Sequence, residues 1–145
     1  MHRSLVTLPD GTSMFAASFD ESHPYTREQI PDFGLYLDDQ WQPPWDYELF
    51  DWADFGVPAD VSALAAALRR LLDHARDGQR VEIGCLGGHG RTGTALGCLA
   101  ILAGEDPREA VTWVRRSYCA HAIETAEQEA FVTSFESNEE PWERS

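Results

Sequence analysis

The sequence predicts an α/β domain in which a single mixed sheet is flanked by helices. Three observations carry this prediction. Strand-like alternation is concentrated in the first half of the chain, helical periodicity fills the second half, and a short β-type run leads through the glycine-rich stretch GCLGGHGRTGTA (84–95) into an almost wholly apolar helical segment. With 145 residues the chain is long enough to bury one hydrophobic core. It shows no internal repeat, low-complexity linker or composition break, so residues 1–137 are assigned to one domain and 138–145 to a frayed C-terminal tail.

Residues 4–8 (SLVTL) and 13–19 (SMFAASF) flank Leu8-Pro9-Asp10-Gly11-Thr12 and predict an N-terminal hairpin. The polar stretch 20–32, with two prolines, predicts a loop, and GLYLDD (34–39) and DYELFD (46–51) predict strands separated by WQPPW. From Asp60 the period changes to 3.6. Val61, Leu64, Ala65, Leu68, Leu71, Leu72 and Ala75 fall on one face, with Asp60 as the N-cap and Gly78 just past the end.

A short strand over 80–83 then precedes the glycine-rich stretch, and residues 92–103 are apolar nearly all round, which predicts a buried helix closed by Gly104. Asp106-Pro107-Arg108-Glu109 has the pattern of a capping box with proline at the first helical position, predicting a helix from there through about Tyr118. Thr125-Ala126-Glu127-Gln128 repeats the pattern before a last helix whose inner face carries Phe131, Val132 and Phe135.

Composition narrows the function. The 25 acidic residues against 11 basic ones give a formal net charge of -14, a surface that repels nucleic acid and anionic membranes. Neither class of partner is expected. The N-terminal MHRSLVTLPDGT has no apolar run and no stretch approaches a membrane span, so the expected location is cytoplasmic. Cys85, Cys98 and Cys119 have spacings unlike a zinc or disulfide framework, which predicts reduced thiols, no metal site and no cofactor.

A strand, a glycine-rich turn and a buried helix place successive backbone N–H groups and a helix N-terminus around an anion. The stretch lacks the lysine of a nucleotide-binding P-loop and retains Cys85-x5-Arg91-Thr92. Amides and a guanidinium that hold phosphoryl oxygens also favour the thiolate, which is the nucleophilic form of cysteine. Arg91 suits bidentate binding of two phosphoryl oxygens, and Gly87, Gly88 and Gly90 allow close approach of the backbone.

On these residues the chain resembles the cysteine-dependent protein tyrosine phosphatase superfamily, whose signature Cys-x5-Arg-[Ser/Thr] is fitted by CLGGHGRTG (85–93). Trp52-Ala53-Asp54-Phe55-Gly56-Val57-Pro58 resembles the family's mobile Trp-Pro-Asp loop, with Ala53 in place of the proline, and Thr125-x-x-Gln128-x-x-Phe131 resembles its glutamine loop. The order of strand, loop and helix is similar to that of the small dual-specificity phosphatases. Two further departures stand out: Gly84 replaces the histidine usual before the nucleophile, and Glu124 stands where many members have a first glutamine.

The resemblance implies a protein tyrosine phosphatase-like fold and a reaction through a cysteinyl-phosphate. Cys85 would be the nucleophile, while Arg91 and the amides of Leu86, Gly87, Gly88, His89 and Gly90 would cradle the phosphoryl group. Asp54 would be the acid and then the base, the alternatives being a plain surface carboxylate there or the neighbouring Asp51 in that role. Thr92 is either a donor to the thiolate or a helix cap, and Gln128 either positions the hydrolytic water or closes a capping box.

His89 either contacts a second anionic group at the rim or is solvated, Arg115 and Arg116 are read as a solvated helix face, and Cys98 as a packed residue. Trp41, Trp45 and Tyr25 either wall a cleft or pack in the core or a turn. The expected partner is a phosphorylated protein carrying phosphotyrosine, with or without phosphoserine and phosphothreonine, or else a small phosphomonoester. A phosphate-binding module without turnover is the alternative of a different class.

Overall fold

The computed structural model describes residues 2–19, 29–39, 41–52, 56–86 and 90–135. Five strands form one mixed sheet: β1 (His2–Thr7), β2 (Ser13–Phe19), β3 (Phe33–Tyr36), β4 (Tyr47–Leu49) and β5 (Val81–Leu86), in the order β1-β2-β5-β3-β4. Only β1 and β2 are antiparallel; β5 runs parallel to both β2 and β3, and β3 parallel to β4. The hairpin forms where the sequence predicts it, with Gly11 at φ 93° in its turn and the Asp10 carboxylate accepting from the Thr12 N–H at 3.0 Å.

Alternation in the strands divides the apolar residues between two faces. Val81, Ile83 and Cys85 of β5 and Leu35 of β3 join the main core with the helices, whereas Tyr36 packs on the other face with Ala17, Trp41 and Trp45. The two tryptophans are therefore core packing rather than cleft walls, and Tyr25 lies outside the described residues.

Helix α1 (Val61–Arg76) starts and stops as its sequence dictates. The Asp60 carboxylate accepts from the Ala63 N–H at 3.0 Å, and Gly78 follows the last turn at φ 87°. Leu64, Leu68, Leu71 and Leu72 are buried on its inner face, each contributing about 1.5–3 kcal/mol. Helix α2 (Gly90–Leu102) is buried from Gly90 to Ile101. Two of its glycines let the chain pack closely: a Cβ at Gly93 would lie 2.7 Å from Ala122 Cβ, and one at Gly97 would lie 2.8 Å from Val132 Cγ1.

Helix α3 (Ala110–Ser117) begins later than the capping-box pattern predicts. Asp106 does not cap it. Its carboxylate accepts instead from the Arg108 N–H and pairs with the Arg108 guanidinium, both at 2.9 Å, and Pro107–Glu109 forms a turn ahead of the helix. Helix α4 (Ala126–Ser134) has the complete box: Thr125 Oγ1 accepts from the Gln128 N–H, and the Gln128 carboxamide oxygen accepts from the Thr125 N–H. Strands β3 and β4 are shorter than the expected 34–39 and 46–51; just past their ends the Phe50 N–H still donates to Tyr36 O of β3 and the Leu37 N–H to Gly84 O of β5, each at 2.9 Å. No helix among the described residues is long and apolar enough to cross a membrane.

Candidate active site

Cys85 sits near the C-terminal end of the central strand β5, paired in register with Ser18 of β2. The carboxyl edge of a parallel sheet is where such folds bind ligands. Strand β5 is longer than predicted and carries Gly84, Cys85 and Leu86 within it, and α2 starts at Gly90. The helix therefore directs its first N–H groups and the positive end of its dipole toward the end of the strand that bears the thiol. Gly87, Gly88 and His89 lie outside the described residues, as does Asp54.

The helix start settles the geometry of Thr92. It is the third helical residue rather than the first, and its hydroxyl donates to Cys85 Sγ at 2.9 Å, with Ala17 O farther off at 3.4 Å. Both side chains are buried, Cys85 at 1% exposure. A hydroxyl that donates to a sulfur favours the thiolate over the thiol.

Arg91 is also buried, and its Nη1 donates to two carbonyls at 3.1 Å, Leu37 O just beyond β3 and Trp52 O. These bonds fix the orientation of the guanidinium. Trp52, itself 2% exposed, packs its ring against Phe131 of α4.

The α3–α4 connection presses on the start of α2. Arg115 clamps it, donating to Ala122 O at 3.0 Å, to Ile123 O at 2.8 Å and to the Glu129 carboxylate at 2.9 Å. The solvated-face reading thus fits Arg116, which is exposed, and is corrected for Arg115. Ile123 has φ 62°, a left-handed conformation rare for a β-branched residue, held by this clamp.

The turn it makes brings Glu124 to the start of α2: a Cβ at Gly90 would lie 2.5 Å from Glu124 Oε1. A carboxylate thus stands at the rim beside Gly90. Gln128, by contrast, is fully buried, with its carboxamide oxygen accepting from the Glu124 N–H at 2.9 Å and its nitrogen donating to Gly56 O at 3.1 Å. This is the capping-box geometry, with one N–H of the carboxamide nitrogen committed to Gly56 O.

Tyr118 joins the site without a signal in the sequence. Burial, and then the neighbouring charges of Cys85 and Cys119, push its phenol well above the ordinary value, so it stays neutral. Cys98 is packed in the core as expected, and all three cysteines are free thiols. No group of three or more His, Cys, Asp or Glu suited to a metal ion occurs among the described residues.

A thiol near the end of a central strand, a hydroxyl at the start of the following helix that donates to it, and a buried guanidinium on that helix fit the class of the dual-specificity-type cysteine phosphatase domains. The chain belongs to the PTP-SAK family, the DSP-PTPase phosphatase domain of the Swiss Army Knife proteins, which it matches over residues 57–142.

It is 42% identical over 83 residues to an uncharacterized protein of Methanocaldococcus jannaschii, a match covering 57% of this chain and 54% of that protein. The chain thus spans about half the length of the curated relative it matches. Its fold is similar to that of Tk-PTP in the active form, with a TM-score of 0.64 and 29% identity over 73% of this chain and 78% of the other. The core catalytic domain of the PP-IP phosphatase SIW14 from S. cerevisiae shares the fold at a TM-score of 0.68, with 18% identity over 97% of this chain and 93% of that domain.

Proposed function

We propose that the protein hydrolyses phosphate monoesters through a cysteinyl-phosphate, acting on phosphotyrosine, alone or together with phosphoserine and phosphothreonine, in proteins. The observation that carries this reading is the buried Cys85 sulfur bonded by the Thr92 hydroxyl at 2.9 Å, at the end of β5 that meets the start of α2.

The Cys85 thiolate attacks phosphorus in line, and the P–O bond to the leaving group breaks. Arg91 and the amides of residues 86–91 stabilise the equatorial oxygens, and Asp54 gives its proton to the departing oxygen. A water then attacks phosphorus, the S–P bond breaks, and Asp54 takes the water's proton. Thr92 receives the thiolate with its hydroxyl.

Vanadate-sensitive hydrolysis of p-nitrophenyl phosphate in EDTA, abolished by Cys85→Ser, is the expected result. Phosphate binding by the wild type without turnover would sink the assignment and leave a phosphate-binding module. An Asp54→Ala variant offered phosphopeptides and phosphorylated metabolites identifies the substrate class: retention of phosphotyrosine peptides supports the reading, and retention of metabolites alone overturns its protein-directed part.

A further inference from the structure

We propose that Gln128 is a positioning residue that fixes the Gly56 carbonyl, and with it the C-terminal end of the segment carrying Asp54. This inference rests on the assignment of Asp54 as the acid.

The carboxamide is fully buried and each end is committed. Its oxygen accepts from the Glu124 N–H at 2.9 Å and the Thr125 N–H at 3.3 Å, and its nitrogen donates to Gly56 O at 3.1 Å. Two donors facing one end and an acceptor facing the other fix which end is which. Gly56 O accepts a second bond, from Trp52 Nε1 at 2.7 Å, and Trp52 O in turn accepts from Arg91 at 3.1 Å. A continuous run of hydrogen bonds therefore joins the cap of α4, Gly56, Trp52 and the phosphate-binding guanidinium. Residues 52 and 56, on either side of Asp54, are each tied to the site.

The choice of residue carries the same message. A capping box needs only an acceptor at its third helical position and is filled equally well by glutamate or glutamine. What glutamine adds is an N–H donor, and that donor is used on Gly56. In a chain with 25 acidic residues, a glutamate here would keep the cap and lose the tie.

Gln128→Glu separates the two roles, because it retains the acceptor for the helix cap and sets an oxygen against the Gly56 carbonyl. The assay compares kcat/KM for p-nitrophenyl phosphate, whose leaving group departs without a proton, with phenyl phosphate, whose leaving group needs one. Asp54→Asn serves as the reference. We expect Gln128→Glu to lower the phenyl phosphate value about tenfold more than the p-nitrophenyl phosphate value, a partial copy of the Asp54→Asn pattern.

An unchanged ratio in a folded Gln128→Glu protein overturns the proposal. Should that variant fail to fold, Trp52→Phe removes the other donor to Gly56 O and is held to the same criterion. If Asp54→Asn itself leaves the ratio unchanged, the acid assignment fails first and this role of Gln128 falls with it. An inactive wild type would instead refute the proposed function.

Discussion

Glu82 is the most consequential charged residue outside the candidate active site, and its replacement should be costly. It lies on β5, three residues before Cys85, and its side chain is fully buried on the sheet face opposite the helices. Its Oε1 accepts from Arg3 Nε at 2.7 Å across β2, and its Oε2 accepts from the Tyr36 hydroxyl at 2.8 Å; that hydroxyl in turn accepts from Trp45 Nε1 at 2.9 Å. One carboxylate thus connects β1, β5, β3 and the segment bearing the tryptophans.

In Glu82→Gln the shape survives but the charge is lost, and the new N–H2 meets a hydroxyl that then lacks an acceptor for its own proton. With hydrogen bonds to charged groups contributing about 1.5–3 kcal/mol and neutral ones about 1, the expected loss is about 2–3 kcal/mol. Glu82→Ala strands the Arg3 guanidinium and adds a void, for about 3–5 kcal/mol. At about 3–4 °C per kcal/mol for a chain of this size, these correspond to falls in Tm of about 6–12 and about 9–20 °C. Urea unfolding followed by tryptophan fluorescence gives the free energies directly. The double substitution Arg3→Met with Glu82→Met should recover much of the loss, since the cost comes from separating partners. A Glu82→Gln protein within 0.5 kcal/mol of wild type, at an unchanged m-value, would refute this reasoning.

Two further outcomes are expected. Thr92→Val removes the 2.9 Å bond to Cys85 Sγ at nearly constant volume, so thiolate departure should slow about tenfold. Rapid-mixing measurements should then show a burst of p-nitrophenol that Thr92→Ser abolishes, and a variant with wild-type kcat would exclude this role. Burial pushes the Asp10 carboxyl up, but the Thr12 N–H and Arg76 outweigh it, so its folded value lies below the ordinary 3.8. A lowered folded value stabilises the protein above about pH 4 and is lost as pH falls through that value, so the urea midpoint of Asp10→Asn should fall less than that of wild type between about pH 5 and 3.

The parts of the fold legible in the sequence are those whose causes are local. Asp60 and Gly78 bracket α1, Thr125 and Gln128 open α4, and Gly11 permits the hairpin turn, each through bonds within a few residues. Asp106 has the same local pattern and misleads, because Arg108 competes for its carboxylate with both its backbone N–H and its guanidinium. Glu82 was equally opaque: in Arg80-Val81-Glu82-Ile83 it reads as an ordinary polar residue of an alternating strand. Only the parallel pairing of β5 with strands on both sides, and the tryptophans over its second face, make that position an interior one.

The same division runs through the candidate site. Cys85, Arg91 and Thr92 could be found because strand, turn and helix start are contiguous, so their spacing is itself the geometry. What holds them is not contiguous, and much of it is backbone. Arg91 is oriented by carbonyls 54 and 39 residues away, and Gln128 by a carbonyl 72 residues away. A carbonyl belongs to every residue and leaves no mark on side-chain identity. Tyr118 and Glu124 escape for a related reason, since a clamp from Arg115 and a left-handed Ile123 bring the α3–α4 connection onto Gly90 and Gly93. Side-chain chemistry therefore names the candidate groups, whereas their placement depends on main-chain acceptors supplied by the rest of the fold. For that reason the decisive variants here change a donor on a side chain, as Gln128→Glu does, while its backbone partner stays in place.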